Sequence, residues 1–131
     1  MAGPRFLYML HGSTTPLYGW RLVGANNRPL AYGWDDHDSL AACEASLQDL
    51  RDHVIAGGAT LVADLSSGLW SWRFEVAGAR LAVSARGYHR RRECTYSADA
   101  FIAAVPLATA AATVLVLPHR VTTRTRPVAV S

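Results

Sequence analysis

His89-Arg90-Arg91-Arg92, directly after Tyr88, is the densest run of functional side chains in this 131-residue sequence. Three arginines in the first turn of a helix oppose the macrodipole, which prefers anions there by roughly 0.3 to 1 kcal/mol each. A broken local rule of this kind marks either a functional site or a partner that supplies the missing charge. A phosphate bound there would be held by guanidinium forks together with free helix amides. The bland alternative is a solvated helix end that tolerates its charges. Asp35-Asp36-His37-Asp38 stands in the matching turn of the first half of the chain, so equivalent turns carry opposite charge. Contiguous side chains cannot all converge on one ion and no second ligand cluster is evident, so no metal site is expected. The aspartates favour a helix N-terminus, and they also suit a head-to-tail contact with the arginine turn of a neighbouring molecule.

Catalytic chemistry has little to stand on. The five histidines, at positions 11, 37, 53, 89 and 119, set no base beside a nucleophile. Cys43 and Cys94 each lie on the apolar stripe of an expected helix, which favours small buried hydrophobes over a disulfide or a reactive thiol. There is no glycine-rich phosphate loop, no GxSxG and no paired-cysteine ligand motif. The expectation is a protein that is not an enzyme and needs no cofactor.

These residues must be positioned by a framework that the sequence writes twice. At a spacing of 51 residues Cys43 meets Cys94, Leu30-Ala31 meets Leu81-Ala82, Ser46 meets Ser97, Leu50 meets Phe101 and Val54 meets Val105. At 52, Leu17-Tyr18-Gly19-Trp20-Arg21-Leu22 meets Leu69-Trp70-Ser71-Trp72-Arg73-Phe74. Self-similarity at such a period reads as an internal duplication and precedes any assignment of fold. Each copy reads as three strands, a helix and a trailing strand. In the first, strands at 6–10, 17–24 and 28–33 precede a helix capped by Asp38 or Ser39 and carrying Leu40, Cys43, Leu47, Leu50 and Val54 on one stripe. Asn26-Asn27 makes a turn, and Pro29 argues for an edge or a bulge. In the second, strands at 60–65, 69–76 and 80–84 precede a helix from about Arg91 to Val105, and 112–117 trails.

Period-two alternation puts Tyr18, Trp20 and Leu22, with Trp70, Trp72 and Phe74, on the face beneath the helices. Arg21 and Arg73 then lie on the opposite face, which a one-layer sheet leaves open to solvent or a partner. The expected domain is residues 1–118, with repeats of about 5–58 and 59–118, followed by a polar arm at 119–131 that contains Arg124 and Arg126. Half of the residues are apolar and 18% are charged, which excludes the disordered class. No apolar run is long enough for a membrane span and no signal peptide is legible, so a soluble cytoplasmic protein without a membrane partner is expected. All 13 basic residues are arginine. A GC-rich genome, which the abundant alanine also suggests, explains that better than selection for phosphate recognition does, and a net charge of +3 is weak support for a polyanion.

Trp70-Ser71-Trp72-Arg73-Phe74, Leu81-Ala82-Val83-Ser84, Gly87-Tyr88 and Cys94 together resemble the pattern of the YegP-like family of uncharacterised bacterial and archaeal proteins, over roughly residues 6–118. The resemblance implies an α+β arrangement in which two β-β-β-α-β units form one antiparallel sheet, exchange their last strands and keep both helices on one face. It implies no activity, cofactor or catalytic residue. Asp36-His37 departs from the family's Gly-Tyr, and Arg90 stands where the family places a capping serine. The expected role is a small interaction module that binds a protein or itself, through Tyr88, His89, Arg90, Arg91 and Arg92 or through the face bearing Arg21 and Arg73. Nucleic-acid binding through the arginine turn is the alternative.

Overall fold

In the computed structural model, which describes residues 3–12 and 14–117, the elements follow in the order β1 (Arg5–His11), β2 (Leu17–Val23), β3 (Pro29–Gly33), α1 (Leu40–His53), β4 (Gly58–Ala63), β5 (Trp70–Val76), β6 (Ala79–Ser84), α2 (Arg91–Ala104) and β7 (Thr109–Val116). The plan of three strands and a helix thus occurs twice before β7. Local chemistry sets the punctuation. Asn27 takes φ 67° in the turn before β3, and Ala77 and Gly78 take φ 50° and 83° between β5 and β6, the left-handed conformations that tight strand connections require. Ser39 caps α1, its Oγ accepting from the Ala42 amide at 3.1 Å. Arg90 occupies the same place before α2 and makes no side-chain cap bond. After α1 a 3-10 turn leads to Gly57, where a Cβ would lie 2.4 Å from the Phe74 ring, so the chain passes that aromatic only as glycine.

The strands form one sheet in the order β4-β5-β6-β3-β2-β1-β7. The two halves meet at the antiparallel β3–β6 pair, where Tyr32 faces Val83. The expected exchange holds in that the strand after α1 lies beside β5 and the strand after α2 lies beside β1. The seven strands are those expected, a single β4 being both the trailing strand of the first half and the leading strand of the second. One feature corrects the expectation of an antiparallel sheet: the sheet is mixed, because β7 runs parallel to β1. The place beside β2 that would correspond to that of β4 beside β5 is already filled by β1. Arriving in the same direction as β1, β7 is displaced one position outward and lies parallel to it. Pro29 resides at a register shift between β2 and β3, a bulge that accommodates a residue without an amide proton inside the sheet.

One sheet face packs under both helices. Phe6, Trp20, Leu22, Ala31, Trp72, Phe74 and Ala82 from the strands meet Cys43, Leu47 and Leu50 of α1 and Cys94, Ala98 and Phe101 of α2 in a single core. Phe6 meets Trp20 edge-on at 5.4 Å, and Phe101 lies 4.7 Å from Trp72 and 5.5 Å from Phe74, separations at which aromatic pairs attract beyond the area they bury. Both cysteines are buried and neither forms a disulfide. Arg51 donates to the Ala108 carbonyl at 2.7 Å and ties α1 to the approach of β7.

The opposite face is less bare than alternation suggests. Met9, Val23 and Val83 belong to it by register and are 1%, 2% and 1% exposed. No helix among the described residues is long and apolar enough to cross a membrane. The expected arm at 119–131 lies outside the described residues.

Candidate interaction site

The connection from β6 to α2 is held to the sheet by main-chain bonds. Tyr88 pairs with Trp70 in an isolated bridge, each amide donating to the other's carbonyl at 2.7 Å. His37 makes the same bridge with Tyr18 in the first half, so the Asp36-His37 departure changes side chains while keeping the backbone. The side-chain wiring differs between the halves. Ser97 Oγ accepts from the Trp72 indole at 3.0 Å and from the Tyr88 hydroxyl at 2.7 Å. In the first half Trp20 Nε1 and His37 Nε2 are buried without a hydrogen-bond partner.

Tyr88 therefore faces partly inward and anchors the turn, while His89, Arg90, Arg91 and Arg92 are exposed. Around them the structure adds residues that sequence reasoning missed. Arg86 lies over the Tyr88 ring at 4.9 Å and Arg91 over Trp70 at 5.9 Å, within the reach of a cation–π attraction. Arg86, Tyr88, Arg92, Glu93 and Tyr96 line an open cleft, and Arg91, Arg92, Thr95, Tyr96 and Asp99 line the one beside it. Tyr96 rises between the two clefts with 79% of its surface exposed. Its spacing of four from Arg92 is a helical neighbour signal that was legible in the sequence.

Three arginines, Arg86, Arg91 and Arg92, thus gather with two tyrosines, against the carboxylates of Glu93 and Asp99, and Arg90 is exposed next to them in the chain. Among the described residues the ion pairs involve His11, His53, Arg73 and Arg80, and none involves Arg86, Arg90, Arg91 or Arg92. Such a surface can hold anions through guanidinium groups and offer a flat ring for stacking.

The other candidate surface is placed where alternation put it. Leu7, Arg21, Tyr32, Val83, Arg73 and Thr60 form one rank across the helix-free face. Glu75 lies 3.7 Å from Arg73 Nε and 3.2 Å from Arg80 Nε, so part of its positive charge is already neutralised. Nε of both Arg21 and Arg73 is buried without a hydrogen bond, but that of Arg73 has the Glu75 carboxylate as an ion-pair partner. The two arginine surfaces lie on different sides of the fold and form no common site.

The acidic turn is also partly occupied, with Asp36 at 3.4 Å from His11 Nε2. No group of three or more His, Cys, Asp or Glu side chains converges among the described residues. Burial pushes the Cys94 thiol up to about 11, which leaves it protonated at neutral pH and without nucleophilic character.

One mixed seven-stranded sheet with both helices on one face defines a small α+β protein. The sequence matches no family model and no curated protein, but the fold has counterparts among solved structures. The protein of unknown function yegP from E. coli superposes with a TM-score of 0.61 at 13% identity, over 88% of this chain and 95% of that one. The UPF0339 protein SO3888 from Shewanella oneidensis does so with a TM-score of 0.62 at 9% identity, over 86% and 91%. The chain has the YegP/UPF0339 fold. At such identities the likeness carries architecture and no site residue.

Proposed function

We propose that this protein is a non-enzymatic interaction module that binds single-stranded nucleic acid through the arginine–tyrosine surface at the start of α2. The observation that carries the reading is the grouping of Arg86, Arg91 and Arg92 around Tyr88 and the exposed ring of Tyr96, with exposed Arg90 adjoining, none of the four in a carboxylate ion pair among the described residues. Single strands are bound by cationic grooves that follow the phosphates and by aromatic rings on which bases stack. A double helix keeps its bases stacked inside and would use only the charges. The missing side-chain cap at Arg90 leaves first-turn amides for a phosphate oxygen.

The test is fluorescence anisotropy of labelled single- and double-stranded oligonucleotides. Three to four phosphate contacts on a single strand predict a loss of affinity of roughly 20- to 50-fold between about 50 and 200 mM salt. An Arg90/Arg91/Arg92→Glu variant is expected to lose binding while keeping its helix content. No binding at low salt, or binding indifferent to salt, would overturn the reading.

A second reading keeps the partner a protein. It is favoured by Arg21, whose buried Nε makes no hydrogen bond and which, unlike Arg73 with its Glu75 neighbour, has no ion-pair partner among the described residues, leaving its guanidinium for a carboxylate docking on the helix-free face. It predicts acidic-peptide binding that survives the arginine-turn variant and is lost in Arg21→Ala/Arg73→Ala.

A further inference from the structure

β4 and β1 hold corresponding places, each leading its half into the next antiparallel strand. The outer edge of β1 is covered by β7, whereas among the described residues no strand covers the outer edge of β4. The hydrogen-bond phase of that edge follows from its inner partner. The Asp64 amide donates to the Leu69 carbonyl, and the β4–β5 register pairs Val62 with Ser71 and Thr60 with Arg73. In an antiparallel ladder alternate residues point their peptide groups to the same side. Positions 58, 60, 62 and 64 therefore bond to β5, and Ala59, Leu61 and Ala63 present their N–H and C=O groups outward. Sheet edges are ordinarily protected by charge, proline, a bulge or a covering segment. Gly58–Ala63 contains no charged residue and no proline, and its pairing to β5 runs without a register shift.

We infer that this edge is an interface between two copies of the chain, joined by antiparallel β4–β4 pairing about a two-fold axis through Leu61. The strand is complementary to itself in that arrangement. Ala59 meets Ala63 of the second copy, Leu61 meets Leu61, and Ala63 meets Ala59, giving up to roughly six main-chain bonds. Thr60 then faces Val62 on the helix-free side. Leu61 packs against the core of its own copy, so the pair would carry an apolar contact from one core to the next. The contact is isologous and closes at a dimer. It shares no residue with the arginine–tyrosine surface, although Ala63 pairs with Trp70, whose ring lies under Arg91, and neither proposal rests on the other.

Sedimentation velocity over a hundredfold concentration range, with amide hydrogen exchange at both ends of it, tests the inference. The expected result is a monomer–dimer equilibrium in which the Ala59, Leu61 and Ala63 amides gain roughly tenfold or more protection at high concentration. Ala63→Pro removes an outward amide at an exposed edge position that tolerates proline and leaves the β4–β5 bonds in place, so it should fold and remain monomeric. Ala63→Val keeps the amide and should still dimerise. A monomer throughout would overturn the inference, as would an unchanged dimer in Ala63→Pro. So would edge protection that ignores concentration, the mark of cover by residues 118–131 of the same chain, and so would new protection confined to β7.

Discussion

Removing the Ser97 hydroxyl should destabilise the protein far more than removing its counterpart Ser46. Ser97 Oγ is the shared acceptor for the Trp72 indole and the Tyr88 hydroxyl. In Ser97→Ala the Trp72 N–H, on a side chain 0% exposed, has no access to water and bears the full desolvation cost, about 1 to 3 kcal/mol. Tyr88 is only partly buried and can turn its hydroxyl to solvent, so its share is about 0.5 to 1 kcal/mol. The sum of about 1.5 to 4 kcal/mol corresponds to a fall in Tm of roughly 5 to 15 °C for a domain of this size. Ser46→Ala lies in the half where Trp20 Nε1 has no partner to lose, and it should change stability by no more than about 0.5 kcal/mol. Urea and thermal unfolding followed by circular dichroism measure both variants. A Ser97→Ala variant within 0.5 kcal/mol of the parent, or equal costs for the two serines, would refute the assignment of the network. A Ser97→Ala/Tyr88→Phe cycle should show a coupling of about 0.5 to 1.5 kcal/mol.

Other expected outcomes follow from the same packing. A Cβ at Gly33 would lie 2.7 Å from Trp20 Nε1, against a fully buried ring that cannot swing away, so Gly33→Ala should cost about 1 to 3 kcal/mol; an unshifted urea midpoint would show that the indole moves freely. Cys94 has a folded pKa near 11 against an ordinary 9.0. Its stabilisation is therefore complete below about pH 9 and is lost as pH climbs from there towards 11. Tyr8, raised chiefly by burial, acts in the same direction. The chain has no lysine to confuse that window, and a urea midpoint that holds or rises across it would contradict the burial of the thiol.

Much of the framework was legible because its signals are local. Ser39, the Leu40–Val54 stripe and the glycines after it delimit α1, and the alternation around Trp20 and Trp72 identifies the core face without any knowledge of partners. The direction of β7 was not legible. Its sequence says strand, but whether it lies parallel or antiparallel depends on β1 having already taken the place beside β2, a fact of chain order in space. The cover on the helix-free face was half legible. Met9, Val23 and Val83 fall on it by the same alternation that exposes Arg21 and Arg73, yet their burial depends on neighbours in strands that pair only in the folded sheet. For the site, the arginine run was visible as a broken helix rule. Arg86 and Trp70 joined it through the Trp70–Tyr88 bridge, a contact across 18 residues that no spacing announces, whereas Tyr96 was within reach of an i, i+4 reading from Arg92.

The most direct test of the proposed function is a nitrogen–proton correlation spectrum recorded as an unlabelled single-stranded oligonucleotide is added at low salt. The account predicts shifts concentrated at Arg86, Tyr88, residues 89–92 and Tyr96, collapsing in the Arg90/Arg91/Arg92→Glu variant. Shifts confined to the rank from Leu7 to Thr60 on the helix-free face, or no shifts at all, would contradict it.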